Sequence, residues 1–171
     1  MAESEYEAAG CCVVAVPRAD DAVHTVSGLP KHMTLLWLGL LEPAKDAVTQ
    51  RVQQLLVRRW ASEVQEYAAM VAPWTSTVES QGPLGDSDNV AFLASVDAKM
   101  IRDQIIQDGG PLSRQWQTVE QYPEFTPHVS LSNSFHPQIN PFVEDSIEFD
   151  RLALWVGKAR FTYQLGTGES I

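Results

Sequence analysis

The sequence is short of cysteine, of positive charge and of long apolar runs, and each shortage removes a class of protein. Its two cysteines, in a chain of 171 residues, are the neighbours Cys11 and Cys12. Adjacent residues of a strand point to opposite faces, and a disulfide between them would close a strained ring. The pair is therefore expected as free thiols in a reducing compartment, and the protein in the cytoplasm. Lys and Arg number 12 against 22 Asp and Glu, a net charge of −10. Long nucleic acid is held chiefly by clustered Lys and Arg, so an extended phosphate-backbone footprint is not expected. A small anionic ligand needs only local positive charge. No segment approaches the roughly 18 successive apolar residues of a membrane span, so no membrane partner is expected. The opening Met1-Ala2-Glu3-Ser4-Glu5-Tyr6-Glu7 is acidic, unlike the start of a secretory leader.

What is present is the composition of a globular protein, 44% apolar and 20% charged, in a length that suits one domain over 1–171. The β-branched run Cys11 to Pro17 predicts a buried strand, and His32 to Leu38 predicts a second that stops at Gly39. Pro43 suits a helix start. Ala44, Ala47, Val48, Val52, Leu55, Leu56 and Trp60 then fall at helical spacing on one inward face, with Arg58 and Arg59 in the last turn. An irregular extended stretch is expected over 66–80 and a loop over 81–88. Val90 to Val96 predicts a central strand. Asp97 is the expected cap of a helix carrying Met100, Ile101 and Ile105 inward and ending at Gly109-Gly110. Leu112, Trp116 and Val119 suggest a further short helical piece. Strands follow at His128 to Ser132, Ile147 to Val156 and Arg160 to Leu165, before a loose tail over 166–171. This order implies an α+β fold: a bilobal, pseudo-symmetric sandwich of two mostly antiparallel sheets, with helices outside and a central cleft.

Two stretches echo one another. Lys31-His32-Met33-Thr34-Leu35-Leu36 and Thr126-Pro127-His128-Val129-Ser130-Leu131 each set a histidine two residues before a small hydroxyl residue on strand-like sequence. Residues i and i+2 of a strand share a face, so His32 lies beside Thr34 and His128 beside Ser130. If the pairs face each other across the cleft, a neutral imidazole can take a proton from water or a ribose hydroxyl while a protonated one gives a proton to the leaving oxygen. The hydroxyls would bind the non-bridging oxygens of a phosphodiester. No cofactor or metal is required. Neither histidine has a second His or Cys at zinc-ligand spacing.

These paired H-x-[T/S]-hydrophobic motifs resemble those of the 2H phosphoesterase superfamily, which includes the 2'-5' RNA ligase-like and cyclic nucleotide phosphodiesterase proteins. The helix after the first motif, the strand Val90 to Val96 with its following helix, and Pro127 before the second histidine fit the same pattern. The resemblance implies metal-independent hydrolysis of a cyclic or 2'-5'-linked nucleotide, with His32 and His128 as acid and base and Thr34 and Ser130 holding phosphate. It leaves open which histidine plays which part. RNA-handling members often carry a basic residue close before the second motif, where this chain has Glu124-Phe125-Thr126-Pro127. Together with the net charge, this favours a small nucleotide or oligonucleotide, including a cyclic one, over long RNA. Two alternatives stand beside it: a nucleotide-binding or structural module of the same fold without turnover, and RNA end-processing or 2'-5' ligation, for which the chain has no nucleotide-activating phosphate loop.

Trp74, Tyr122 and Phe125 are candidates to stack a base. Trp37, an odd number of residues after His32, is expected on the opposite strand face, in the core. Lys31 and Lys158 could supply local positive charge. His24 and His136 are expected at the surface. Nothing in the sequence fixes the oligomeric state, and a monomer is the simplest expectation.

Overall fold

The computed structural model describes residues 9–19, 32–85, 87–122, 124–131 and 145–171. Its elements run β1 (Ala9–Pro17), β2 (Met33–Leu41), α1 (Ala47–Met70), β3 (Trp74–Leu84), β4 (Ser87–Ala94), α2 (Val96–Asp108), α3 (Pro111–Gln117), β5 (His128–Ser130), β6 (Ser146–Val156) and β7 (Ala159–Gln164). The α+β class is as expected from the sequence. All the strand pairs are antiparallel, and they run in the order β2-β1-β6-β3-β4-β5, with β7 also on β6.

β6 joins the two lobes. Its residues Arg151 to Val156 pair with β7 on one side and β1 on the other, while Ser146 to Phe149 pair with β3. One lobe is thus β2-β1-β6-β7 and the other β6-β3-β4-β5. The strand belongs to both halves of the core, and Ile147, Phe149, Leu152 and Leu154 are fully buried along it. Full burial of side chains of this kind stabilises by about 1.5–3 kcal/mol each. The curl of the sheet brings its two ends together, so that Cα atoms of β2 and β5 lie within 8 Å of one another.

One face of the sheet is covered by the helices. Val13, Ala15, Met33, Leu35, Ala91, Val129, Phe149 and Leu154 pack there with Trp60 and Val64 of α1, Ile101 and Ile105 of α2 and Leu112 of α3. The other face carries a separate small cluster of Val14, Val16 and Ala153, against which Cys12 and Trp155 pack, and no described helical residue joins it.

Several expectations are corrected. α1 continues to Met70, so Arg58 and Arg59 lie mid-helix. Its buried stripe is Trp60, Ala61, Val64, Tyr67 and Ala68, which prolongs the same helical periodicity into what the sequence suggested was extended chain. Val48, Val52 and Leu55 are exposed, as is Met100 of α2. β3 runs through Pro83 into a hairpin with β4, where a loop was expected. Proline is tolerated because β6 pairs only with Trp74 to Thr77, so Pro83 lies beyond the stretch of β3 that is hydrogen-bonded on both sides among the described strands. α2 is capped by Ser95, whose hydroxyl accepts from the Ala98 amide at 3.3 Å, and Asp97 falls in the first turn. The tail is tied down. Gly166 N donates to Ala68 O at 2.8 Å and Ile171 N to Thr162 O at 2.9 Å. Gly168, at φ 72°, leaves no room for a side chain, since a Cβ there would sit 2.9 Å from Gln65 O of α1.

Candidate active site

β2 owes its use to irregularity. On the β1–β2 ladder Val13 opposes Leu36 and Val14 opposes Thr34, leaving Leu35 as an extra residue; Cys11 opposes Gly39 and Cys12 opposes Trp37, leaving Leu38 as a second. Both extra residues are leucines buried in the helical core, which is what holds a bulge in place. The consequence is a change of facing. Met33, Leu35, Leu36 and Leu38 all point to the helices, while Thr34 and Trp37 oppose Val14 and Cys12 on the open face.

Trp37 is therefore not the core residue that strict alternation requires. It is 38% exposed, and its ring lies 3.3 Å from where a Cβ on Gly10 would stand. Across the sheet the open face reads in rows: Thr34, Val14, Ala153 and Thr162 in one, and Trp37, Cys12, Trp155 and Arg160 in the next. The imidazole of His32, immediately before β2, packs on the Trp155 indole with ring centres 4.3 Å apart and planes at 55°. The Arg160 guanidinium lies 4.1 Å from the centre of the same indole.

The second pair is set by β5. His128 opposes Phe92 and Ser130 opposes Val90, while Val129 between them opposes Ala91 and is buried in the helical core. His128 and Ser130 thus share the face away from the helices, as His32 and Thr34 share theirs. The His128 ring is oriented by its own chain: Nδ1 lies 2.7 Å from Thr126 O. A carbonyl can only accept, so Nδ1 carries the hydrogen and Nε2 is the nitrogen left to exchange a proton with a ligand.

The candidate base-stacking residues separate. Trp74 is 6% exposed and stacks on Phe149 inside the core, with ring centres 5.4 Å apart, so it is not offered to a ligand. Phe125 is half-buried against the core, and the Arg102 guanidinium stands 4.9 Å from its ring and 5.5 Å from that of Trp116. Tyr122 is 86% exposed. Lys158 is exposed in the β6–β7 turn. Lys31, His24, His136 and Ser132 lie outside the described residues.

Sequence reasoning missed Trp155 and Arg160. The signal was the tight turn at Gly157-Lys158, which places residues 155 and 160 opposite one another, but their nearness to His32 follows from sheet order. Cys11 and Cys12 are not joined in a disulfide, as expected. Burial pushes the Cys12 thiol up to about 11, helped by Cys11 and opposed by Arg160, and burial raises Cys11 as well. Thiols so shifted are poor nucleophiles. Among the described residues no three His, Cys, Asp or Glu side chains are grouped to hold a metal ion, and no helix is long and apolar enough to cross a membrane. A cavity of about 460 Å³ lies on the helical side, lined by Arg59, Glu63, Glu66, Tyr67 and Asp108 among others, and includes none of the candidate residues.

Neither a protein-family model nor a curated protein sequence matches the chain. Solved structures do. TT0787 of Thermus thermophilus superposes with a TM-score of 0.61 at 12% identity, over 94% of this chain and all of that one (100%). LigT of E. coli in complex with 3'-AMP is matched over 93% of this chain and 96% of its own, at 16% identity and a TM-score of 0.46. The first likeness shows a shared fold.

Proposed function

We propose that the protein is a metal-independent phosphodiesterase of the 2H type, which hydrolyses a cyclic or 2'-5'-linked nucleotide. The observation that carries this is the closure of the sheet: β2 and β5, the two ends of the strand path, come within 8 Å, and these are the strands that bear the two H-x-[T/S] motifs. Nothing local joins these two strands, and their approach supports a shared task for the motifs they carry.

In this reading a water is held between the imidazoles and the phosphorus. The neutral histidine takes a proton from the water as its oxygen attacks, the P–O bond to the leaving ribose oxygen breaks, and the protonated histidine gives that oxygen its proton. Thr34 and Ser130 donate hydroxyl hydrogens to the non-bridging oxygens, whose charge grows in the transition state. His128 works through Nε2, its ring held by the bond from Nδ1 to the Thr126 carbonyl.

The test is turnover in EDTA of a panel of 2',3'-cyclic nucleotides, 2'-5' oligoadenylate and cyclic oligonucleotides. Cleavage of one class, abolished by His32→Ala and by His128→Ala, is expected, with a bell-shaped dependence of rate on pH. Full activity in either variant, or a flat profile between about pH 5 and 8, would remove the imidazole pair from the chemistry. Tight nucleotide binding without turnover would favour a binding module instead.

A further inference from the structure

Arg160 differs from the two other described arginines at this part of the sheet. Arg18 pairs with Glu148 at 3.1 Å and Arg151 with Asp150 at 2.9 Å. Arg160 has no carboxylate partner among the described residues. Its Nη1 donates to Gly157 O at 2.5 Å and Ala159 O at 3.1 Å, the carbonyls of its own turn. These bonds fix the guanidinium over the Trp155 indole, 4.1 Å from its centre. They occupy one nitrogen of the fork, and Nη2 and Nε keep hydrogens for an acceptor. Trp155 in turn touches His32, and Trp37 lies exposed in the same cross-sheet row. In a chain of net charge −10, a fixed, exposed cation with no carboxylate partner among the described residues, one indole away from a candidate catalytic histidine, offers a place for an anion.

We propose that Arg160, carried on Trp155, is a subsite for a second phosphate, distinct from the one that is cleaved, with Trp37 offering its ring to the adjoining base. This deepens the phosphodiesterase reading and rests on it for the substrate: a nucleotide that bears a further phosphate, either terminal or as the next internucleotide link. A phosphate there gains charge-assisted bonds from a planar donor pair. The indole holds the cation in place without neutralising it.

Binding tests the subsite separately from turnover. Adenosine 3',5'-bisphosphate and adenosine 3'-monophosphate are titrated by calorimetry into the full chain and into Arg160→Gln and Arg160→Lys. The bisphosphate should bind the parent roughly 10- to 100-fold more tightly, the range for charge-assisted hydrogen bonds. Arg160→Gln should bring the ratio to about one and Arg160→Lys to between the two, as a point charge replaces a fork. A ratio near one in the parent, an unchanged ratio in Arg160→Gln, or no binding of either nucleotide at millimolar concentration would overturn the proposal. If the ratio behaves as stated but no substrate is turned over, the subsite stands and the phosphodiesterase reading fails. Comparing turnover of a 5'-phosphorylated 2',3'-cyclic mononucleotide with that of a dinucleotide ending in the same cyclic phosphate then tells a terminal phosphate from an internucleotide one.

Discussion

His128→Asn separates chemistry from stability at one position. Alanine would remove the Nδ1 hydrogen bond to Thr126 O, which is 2.7 Å long, and part of the packing of a half-buried ring. The loss comes to about 1–2 kcal/mol, or roughly 2–8 °C in Tm for a chain of this size. Asparagine can place an amide N–H near the Nδ1 position and keep that bond, yet it has no nitrogen that titrates near neutrality. Its Tm should therefore lie close to the parent's. Removing a general acid or base costs roughly 10²- to 10⁴-fold in rate, equivalent to about 2.7–5.5 kcal/mol of transition-state stabilisation. The assay is initial rate on whichever panel substrate the parent cleaves, with thermal unfolding of both proteins and nucleotide binding measured in parallel. A folded Asn variant that binds nucleotide normally and has lost at least 10²-fold in kcat is the expected result. Should it retain kcat within tenfold of the parent, His128 Nε2 is not exchanging a proton in the rate-limiting step and the argument from tautomer and geometry is wrong.

Three further outcomes follow from the packing. Deleting Leu35 removes the bulge that sets Thr34 and Trp37 on one face; turning over the anchored part of β2 would expose two buried leucines at about 1.5–3 kcal/mol each, so the start of the strand should turn instead and activity be lost, whereas Leu35→Ala, costing about 2–5 kcal/mol, keeps the register and should keep activity. A deletion variant as active as Leu35→Ala would refute this. Ser95→Ala removes the cap of α2 and the partner of the buried Ser76 hydroxyl, 2.8 Å away, and should cost about 2 kcal/mol in urea unfolding; a change below about 0.5 kcal/mol would show that neither bond matters. Because the Cys12 thiol is raised from 9.0 to about 11, the folded state binds the proton more tightly than the unfolded one, so stability is fully present below pH 9 and declines as pH rises towards 11. Cys12→Ala should flatten that decline, which pH-dependent unfolding would detect, and an equally steep decline in the variant would point to other groups.

The two H-x-[T/S] strands, the helix after the first, the left-handed glycine that ends α2 and the α+β order were legible because each depends on local pattern: period two, period 3.6, a breaker at the right place. The limits of α1 and β3 were not. The stripe from Trp60 to Ala68 and the place of Pro83 beyond the β6 pairing take their meaning from what packs beside them. Trp37 shows the same limit at the candidate site, since alternation counted from His32 sends it inward and the extra residue at Leu35 sends it out. Trp74, a candidate for stacking from its place in the sequence, is core because β3 pairs with β6 there and sets it against Phe149.

The sequence by itself determined that two histidine–hydroxyl pairs exist and that each pair shares a strand face, because side-chain alternation is a property of a few consecutive residues. That the strands of these pairs meet was decided by the tertiary structure alone. They are the two ends of a sheet path, and it takes the shared strand β6 and the curl of the whole sheet to close it. Sheet order, with β1 between β2 and β6, set Trp155 against His32 and Arg160 one indole further, from a hairpin whose own residues carry no hint of what it would face.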